Sequence, residues 1–227
     1  MSKTCQVEGQ NEPLVLFRDK SILVACKPYG VLSEADGHKP NMPSLLRDDL
    51  GCDAVYPVHR LDRTTQGVMV YALTESAARR LSAMIQQGRV EKTYLAVVEG
   101  VPEQARGEYT DLLYFDRRKN KSYVVKRERR GVKQARLQYQ VLQTIEHEGK
   151  RLSLLKIRLL TGRTHQIRVQ FASRKMPLVG DRRYGSHLPA NHIQLCAARL
   201  NFSHPVTGEA LRFSYDPTDE FFRLFHI

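Results

Sequence analysis

One carboxylate, Asp62, stands in the run His59-Arg60-Leu61-Asp62-Arg63-Thr64-Thr65-Gln66-Gly67, between cationic neighbours, and the apolar stretch Val68-Met69-Val70-Tyr71-Ala72 follows at once. Loops tolerate polar groups and buried strands fix their position, so a carboxylate on such a turn suits work as a nucleophile or base. A lone aspartate on a turn is more often just a surface charge, and other polar clusters must tip the balance. In Glu91-Lys92-Thr93-Tyr94-Leu95-Ala96-Val97-Val98-Glu99-Gly100, strand alternation sets Tyr94 and Ala96 on one face. In Leu159-Leu160-Thr161-Gly162-Arg163-Thr164-His165-Gln166-Ile167-Arg168, a strand meets a tight turn and then a helix; Thr164 is the expected cap and Arg168 lies one turn inside. Gly180-Asp181-Arg182-Arg183-Tyr184-Gly185 reads as a polar turn.

The elements that must hold these groups follow from apolar periodicity. A buried strand is expected at 22–25, ending in the turn Lys27-Pro28-Tyr29-Gly30, and a second at 68–73. A short helix is expected over 43–50, capped by Asn41 and stopped by Gly51. An amphipathic helix over 75–87 puts Ala77, Leu81, Met84 and Ile85 on one face, and Gly88 closes it. Strands are expected at 93–98, 122–125, 135–145 and 152–160, the last two joined through Glu146-His147-Glu148-Gly149-Lys150. A helix from about Thr164, a strand at 211–215 and a helical tail at 220–225 complete the pattern. Strand–helix–strand alternation is scarce, which predicts an α+β fold with a largely antiparallel sheet. A single domain over 1–227 is expected, with a polar, poorly ordered start at 1–13.

Charge narrows the partner. Against 24 Asp and Glu the chain carries 36 Lys and Arg, a net +12 that fits a polyanion, nucleic acid first. It has no basic amphipathic helix for a membrane surface, no apolar run near 20 residues and no secretory leader pattern. Cys5, Cys26, Cys52 and Cys196 are scattered, as in a reduced cytoplasmic protein, and His187 and His192 have no companions at a metal-site spacing, so no metal is expected. Between Asp116 and Arg136, ten of 21 residues are Lys or Arg, with Tyr114, Phe115 and Tyr123 in or beside the run. A hairpin carrying Arg117, Arg118, Lys119, Lys121, Lys126, Arg127, Arg129 and Arg130 is therefore expected to meet phosphate backbone, its aromatics being able to stack on bases.

In order along the chain, Lys27-Pro28-Tyr29-Gly30, His59-Arg60-Leu61-Asp62, Lys92-Thr93-Tyr94, Gly162-Arg163-Thr164-His165-Gln166-Ile167-Arg168, Gly180-Asp181-Arg182-Arg183-Tyr184-Gly185, Leu195-Cys196-Ala197 and His204-Pro205-Val206-Thr207-Gly208-Glu209 resemble the RluA-type pseudouridine synthases. The resemblance implies their catalytic fold, a bent, largely antiparallel mixed sheet flanked by helices and RNA-binding loops. It implies isomerisation of uridine to pseudouridine in structured RNA, ribosomal or transfer, without cofactor or metal; a cytoplasmic location is expected from the scattered cysteines, and a monomer is the default. By the same resemblance Asp62 is the catalytic aspartate, Tyr94 the tyrosine that stacks on the base and Arg168 the ion-pair partner of Asp62. His59, Arg60, Leu61, Arg63 and Thr64, with Arg163, Thr164, His165, Gln166 and Ile167, then surround the substrate. The chain departs from the family at Gln66, where serine is common, and at Gln170 and Cys196, where histidine is. Because it starts close to the catalytic region, the small N-terminal RNA-binding domain of many relatives is expected to be absent.

The main alternative is a non-catalytic RNA-binding protein or RNA chaperone, which needs the charge but not Asp62. A glycoside hydrolase would need two facing carboxylates. A kinase would need a Gly-rich phosphate loop and Asp-Phe-Gly beside His59-Arg60-Leu61-Asp62.

Overall fold

The computed structural model describes residues 13–37 and 39–225, so the expected polar start lies outside the described residues except for Pro13. Two compact units divide the chain, residues 1–92 with 196–217 and residues 93–195 with 218–227. The first unit opens with β1 (Leu14–Arg18), β2 (Ile22–Lys27), α1 (Met42–Leu50), β3 (Tyr56–Pro57), β4 (Gln66–Ala72) and α2 (Glu75–Gln86). β5 (Glu91–Glu99) carries the chain into the second unit, which holds β6 (Arg106–Asp116), β7 (Lys121–Val125), β8 (Val132–His147), β9 (Lys150–Leu159) and α3 (Gln166–Ala172). β10 (Leu195–Ser203) and β11 (Ala210–Ser214) return to the first unit, and α4 (Glu220–Arg223) ends the second.

In the first unit β2 pairs antiparallel with both β1 and β4. β4 in turn runs parallel to β10 at Gln66↔Cys196 and Gly67↔Ala197, and β10 pairs antiparallel with β11. Every residue of β2 and β4 is buried, which is why both read as unbroken apolar runs rather than alternating ones. One face of these strands, with Val24, Val68 and Val70, packs with Leu200, Phe202 and Phe213 against Ala77 and Leu81 of α2, and Met84 and Ile85 lie against the same cluster. Asn41 caps α1 by accepting from Ser44 N–H at 3.0 Å, and Gly51 ends it in the left-handed conformation (φ 58°). Such a cap stabilises a helix by about 1 kcal/mol.

In the second unit β5, β9, β8, β6 and β7 are neighbours in that order, all antiparallel. The β8–β9 hairpin turns at Glu148-Gly149, both at positive φ, within the turn expected. The sheet is mixed and the helices are few, in agreement with the α+β expectation. β1, β3, β6 and β10 lie outside the expected strands: β3 is only two residues long, β6 interleaves Gly107, Glu108 and Asp111 among its apolar residues, and β10 places Arg199 and Asn201 in an alanine-rich run.

Candidate active site

Asp62 lies on the loop between β3 and β4, half-buried, and the residues on either side of it are locked. On one side, Ser33 Oγ accepts from Leu61 N–H at 2.9 Å and donates to Leu61 C=O at 2.8 Å, while the Leu61 side chain is buried. On the other, Gly30 N–H donates to Arg63 C=O at 2.9 Å and Arg63 Nε donates to Gly30 C=O at 2.8 Å. Thr65 N–H closes the turn onto Asp62 C=O at 2.9 Å. A carboxylate between two such clamps has its backbone fixed before any substrate arrives.

Lys27 joins the clamps. Its side chain is 1% exposed, and Nζ donates to the carbonyls of Pro28 (2.8 Å), Val31 (2.8 Å) and Arg63 (3.3 Å). Burial lowers its pKa to about 7, the Asp62 charge works the other way, and Arg63 adds to the lowering. His59 stays neutral, because burial, helped by the charge of Lys92, holds it well below the ordinary imidazole range. Its Nε2 accepts from Val70 N–H at 3.1 Å, which puts the proton on Nδ1 and ties the start of the loop to β4. At the far end Gly67 sits at φ 121°, and a Cβ there would collide with the Ala197 backbone. Only glycine lets β4 approach β10 this closely.

In the second unit Tyr94 pairs with Ile157 of β9 and is 6% exposed, on the same face of β5 as Ala96. Arg168, 4% exposed, is gripped through two nitrogens: Nε donates to Asp181 Oδ2 at 2.6 Å and Nη2 to Asp181 Oδ1 at 3.0 Å. Its guanidinium lies 5.0 Å from the ring centre of Tyr184. The Tyr184 hydroxyl accepts from Ser122 N–H at 2.8 Å and sits 3.0 Å from His165 Nδ1, and Ser122 Oγ donates to Thr164 C=O at 2.6 Å. The Gly180–Gly185 segment, expected to be a polar turn, buttresses α3 through Asp181 and Tyr184.

Thr164 does not cap α3. The N-cap is His165, left-handed at φ 55° and without a side-chain cap, so Arg168 falls in the first turn rather than one turn inside. Gln166 takes over the turn: its Oε1 accepts from Arg163 N–H (3.0 Å) and Thr161 Oγ1 (2.8 Å), and its Nε2 donates to Arg136 C=O (3.0 Å). His165, Gln166 and Ile167 are buried and shape the turn, whereas Arg60, Arg63, Thr64 and Arg163 are exposed. Ser33, Lys27, Asp181 and Tyr184 are not among the site residues expected from sequence, although the last three stand in motifs that carry the resemblance; nothing local marks Ser33, whose partner Leu61 lies 28 positions away.

The basic segment is a hairpin followed by a crossing. Arg117, Arg118 and Lys119 form the β6–β7 turn, and residues 126–131 cross β6 to start β8 on its other side. Along that crossing Arg129 stacks on Tyr114 at 4.7 Å, and Lys121 lies over Tyr184 at 5.2 Å and Tyr123 at 5.7 Å. Phe115 packs edge-on against His165, with centroids 6.2 Å apart. Cations and a histidine therefore already occupy the aromatics. Lys126, Arg127, Arg129 and Arg130 are exposed, as are Arg117, Arg118 and Lys119. Among the described residues no group of three or more His, Cys, Asp or Glu stands together as a metal site.

The family model for RNA pseudouridylate synthase matches residues 21–173, a span that includes Asp62, Tyr94 and Arg168. The chain is 32% identical over 218 residues to tRNA pseudouridine synthase C of Yersinia pestis, covering 87% of this chain and 83% of that protein. An uncharacterized RNA pseudouridine synthase of Aquifex aeolicus is 34% identical over 235 residues, with 95% and 73% covered. The dual-specificity RNA pseudouridine synthase RluA of Salmonella typhimurium is 32% identical over 222 residues, with 91% and 96% covered. Among solved structures, human RNA pseudouridylate synthase domain containing 1 shares the fold at a TM-score of 0.75 and 24% identity, with 92% of this chain and 85% of that one covered. Sequence and fold agree, and the chain belongs to the RluA-type RNA pseudouridine synthases.

Proposed function

We propose that this synthase isomerises uridines of tRNA or rRNA with Asp62 as the catalytic carboxylate, Tyr94 as the platform for the base and Arg168 as the cation that keeps Asp62 ionised. Isomerisation of uridine in RNA follows from family membership; the residue roles and the class of RNA are our inference. The observation that carries the assignment is the double clamp on Leu61 and Arg63, which holds Asp62 still. In the reaction the N1–C1′ bond breaks, the uracil rotates, and a C5–C1′ bond forms. The C5 proton leaves to solvent while N1 gains one. Asp62 starts the sequence by attacking C1′ or by taking the C2′ proton, and an ionised carboxylate serves both routes. A stacked uridine is beyond its reach, so the nucleotide must be extruded at a cost of a few kcal/mol. The exposed Arg117, Arg118, Lys119, Lys126, Arg127, Arg129 and Arg130 are suited to supply that energy through phosphate contacts. The Yersinia pestis relative is by name a tRNA enzyme and the Salmonella typhimurium one has dual specificity, which favours tRNA, with rRNA as the second class.

We also infer a cytoplasmic monomer. Among the described residues Cys26, Cys52 and Cys196 form no disulfide, and no helix is long and apolar enough to cross a membrane.

The test is tritium release from C5-labelled uridine in unmodified tRNA and rRNA pools, with the wild type and Asp62→Asn compared. Release by the wild type alone, with RNA affinity retained by the variant, supports the assignment and names the substrate pool. Equal release by the variant overturns the role of Asp62.

A further inference from the structure

Three arginines line one groove on the first unit. Strand alternation turns Leu200, Phe202 and Phe213 into the core and leaves Arg199, Asn201 and Ser203 of β10 on the opposite face with Arg212 and Ser214 of β11. That face, joined by Arg89 from the turn after α2, encloses a groove of about 700 Å³. In the β10–β11 register Arg199 opposes Ser214 and Asn201 opposes Arg212, so the two arginines are diagonal neighbours, roughly 7–8 Å apart.

All three arginines are exposed, and among the described residues none of their side chains has a hydrogen-bond or ion-pair partner. The groove also contains two carboxylates. Glu91 accepts from Asn201 Nδ2 at 3.2 Å, and Asp216 forms no ion pair with the arginines. Elsewhere the fold pairs arginines readily, Arg168 with Asp181, Arg174 with Asp111 and Arg136 with Glu108. Unpaired like charges on neighbouring strand positions repel, which is unfavourable for the empty protein. A polyanion reverses the sign of that term. Around the guanidinium groups Asn201, Ser203 and Ser214 offer neutral donors and acceptors suited to phosphate and ribose oxygens, and the two aromatics of the lining, Phe202 and Phe213, are buried in the core rather than exposed to stack on a base.

We propose that this groove binds the phosphate backbone of the RNA substrate away from the target uridine, a contact on the first unit in addition to the basic hairpin of the second. It rests on RNA being the substrate, and the experiment separates the two claims. The triple variant Arg89→Gln, Arg199→Gln, Arg212→Gln is compared with the wild type for affinity to unmodified tRNA and rRNA across a salt series, for turnover at saturating RNA, and for thermal stability. Each lost phosphate contact flattens the log–log salt slope by about 0.7–0.9, so the slope should fall by roughly 2 to 3 units. Turnover at saturation and thermal stability should stay at or above the wild-type level, and the Arg→Lys triple should keep the slope. An unchanged slope, with the wild type binding RNA normally, overturns the groove alone. Loss of turnover at saturating RNA also overturns it, because the arginines would then belong to the chemistry. Failure of the wild type to bind or modify any RNA would instead remove the functional assignment beneath both.

Discussion

Ser33 holds both backbone groups of Leu61, accepting from its N–H at 2.9 Å and donating to its C=O at 2.8 Å across 28 positions of sequence. Both residues are buried. Ser33→Ala leaves the N–H and the C=O unsatisfied, at about 1–3 kcal/mol each. The residue after Leu61 is Asp62, so the loosened segment is the one that aims the carboxylate. We expect Ser33→Ala to lower kcat at least tenfold while KM for RNA changes little, with the stability loss read by chemical denaturation. A fall in stability with full kcat would show that the clamp serves the fold alone.

Lys27 gives a pH signature. Burial brings its folded pKa down to about 7, against roughly 10.4 for an unfolded lysine. Between those values the unfolded chain binds more protons than the folded one, so the stability contributed at this site rises with pH. Below pH of about 7 both states carry the charge, and the full cost of burying it remains. Denaturation of wild type and Lys27→Met at several pH values should give a difference that moves in favour of wild type as pH climbs from about 7 to about 10.4, then levels off. A difference independent of pH would mean that Lys27 titrates as it does in water.

Much of this frame was legible because its signals are local. The apolar runs of β2 and β4 and the Asn41 cap with its Gly51 stop lie within a few residues of what they specify. β10 was not legible: Leu195-Cys196-Ala197-Ala198-Arg199 has weak strand propensity and becomes a strand through pairing with β4 and β11, more than a hundred residues and about ten residues away respectively. The same division runs through the site. The motif around Asp62 could be recognised, whereas the Ser33–Leu61 bonds and the reach of Lys27 to Arg63 C=O join positions that only the fold brings together. At α3 the capping rule favoured Thr164, but the Gln166 amide satisfies the turn and moves the start to His165.

Gly67 offers a test that involves no titratable group. Its φ of 121° lies where side chains are strained, and a Cβ would strike the Ala197 backbone, which cannot swing away as a side chain can. Gly67→Ala must separate β4 from β10 or twist the end of the Asp62 loop. The expected result is a loss of more than about 2 kcal/mol in denaturation, above the usual range for surface changes. Gly30→Ala, at φ 79° with open space around it, should cost less, since only the strain applies. Equal losses for the two would mean that the β4–β10 approach is not tight.

Asp181 and Arg168 are 1% and 5% exposed in their side chains, and neither charge is well placed to find water if the other is removed. Asp181→Asn keeps the shape and removes the charge, and breaking a buried ion pair from one side costs about 3–5 kcal/mol. Removing both charges, in Asp181→Asn with Arg168→Met, should restore much of that stability, and the double-mutant cycle should show strong coupling. Catalysis separates structure from position. If Asp181 serves by aiming Arg168, then Asp181→Asn at temperatures where it remains folded should lose kcat with KM little changed, and the double variant should regain stability without regaining kcat. Recovery of both together would assign the pair to the fold alone. Asp181→Glu should not rescue kcat, because an extra methylene at a site 1% exposed displaces the two-point grip at 2.6 and 3.0 Å on which the orientation of Arg168 depends.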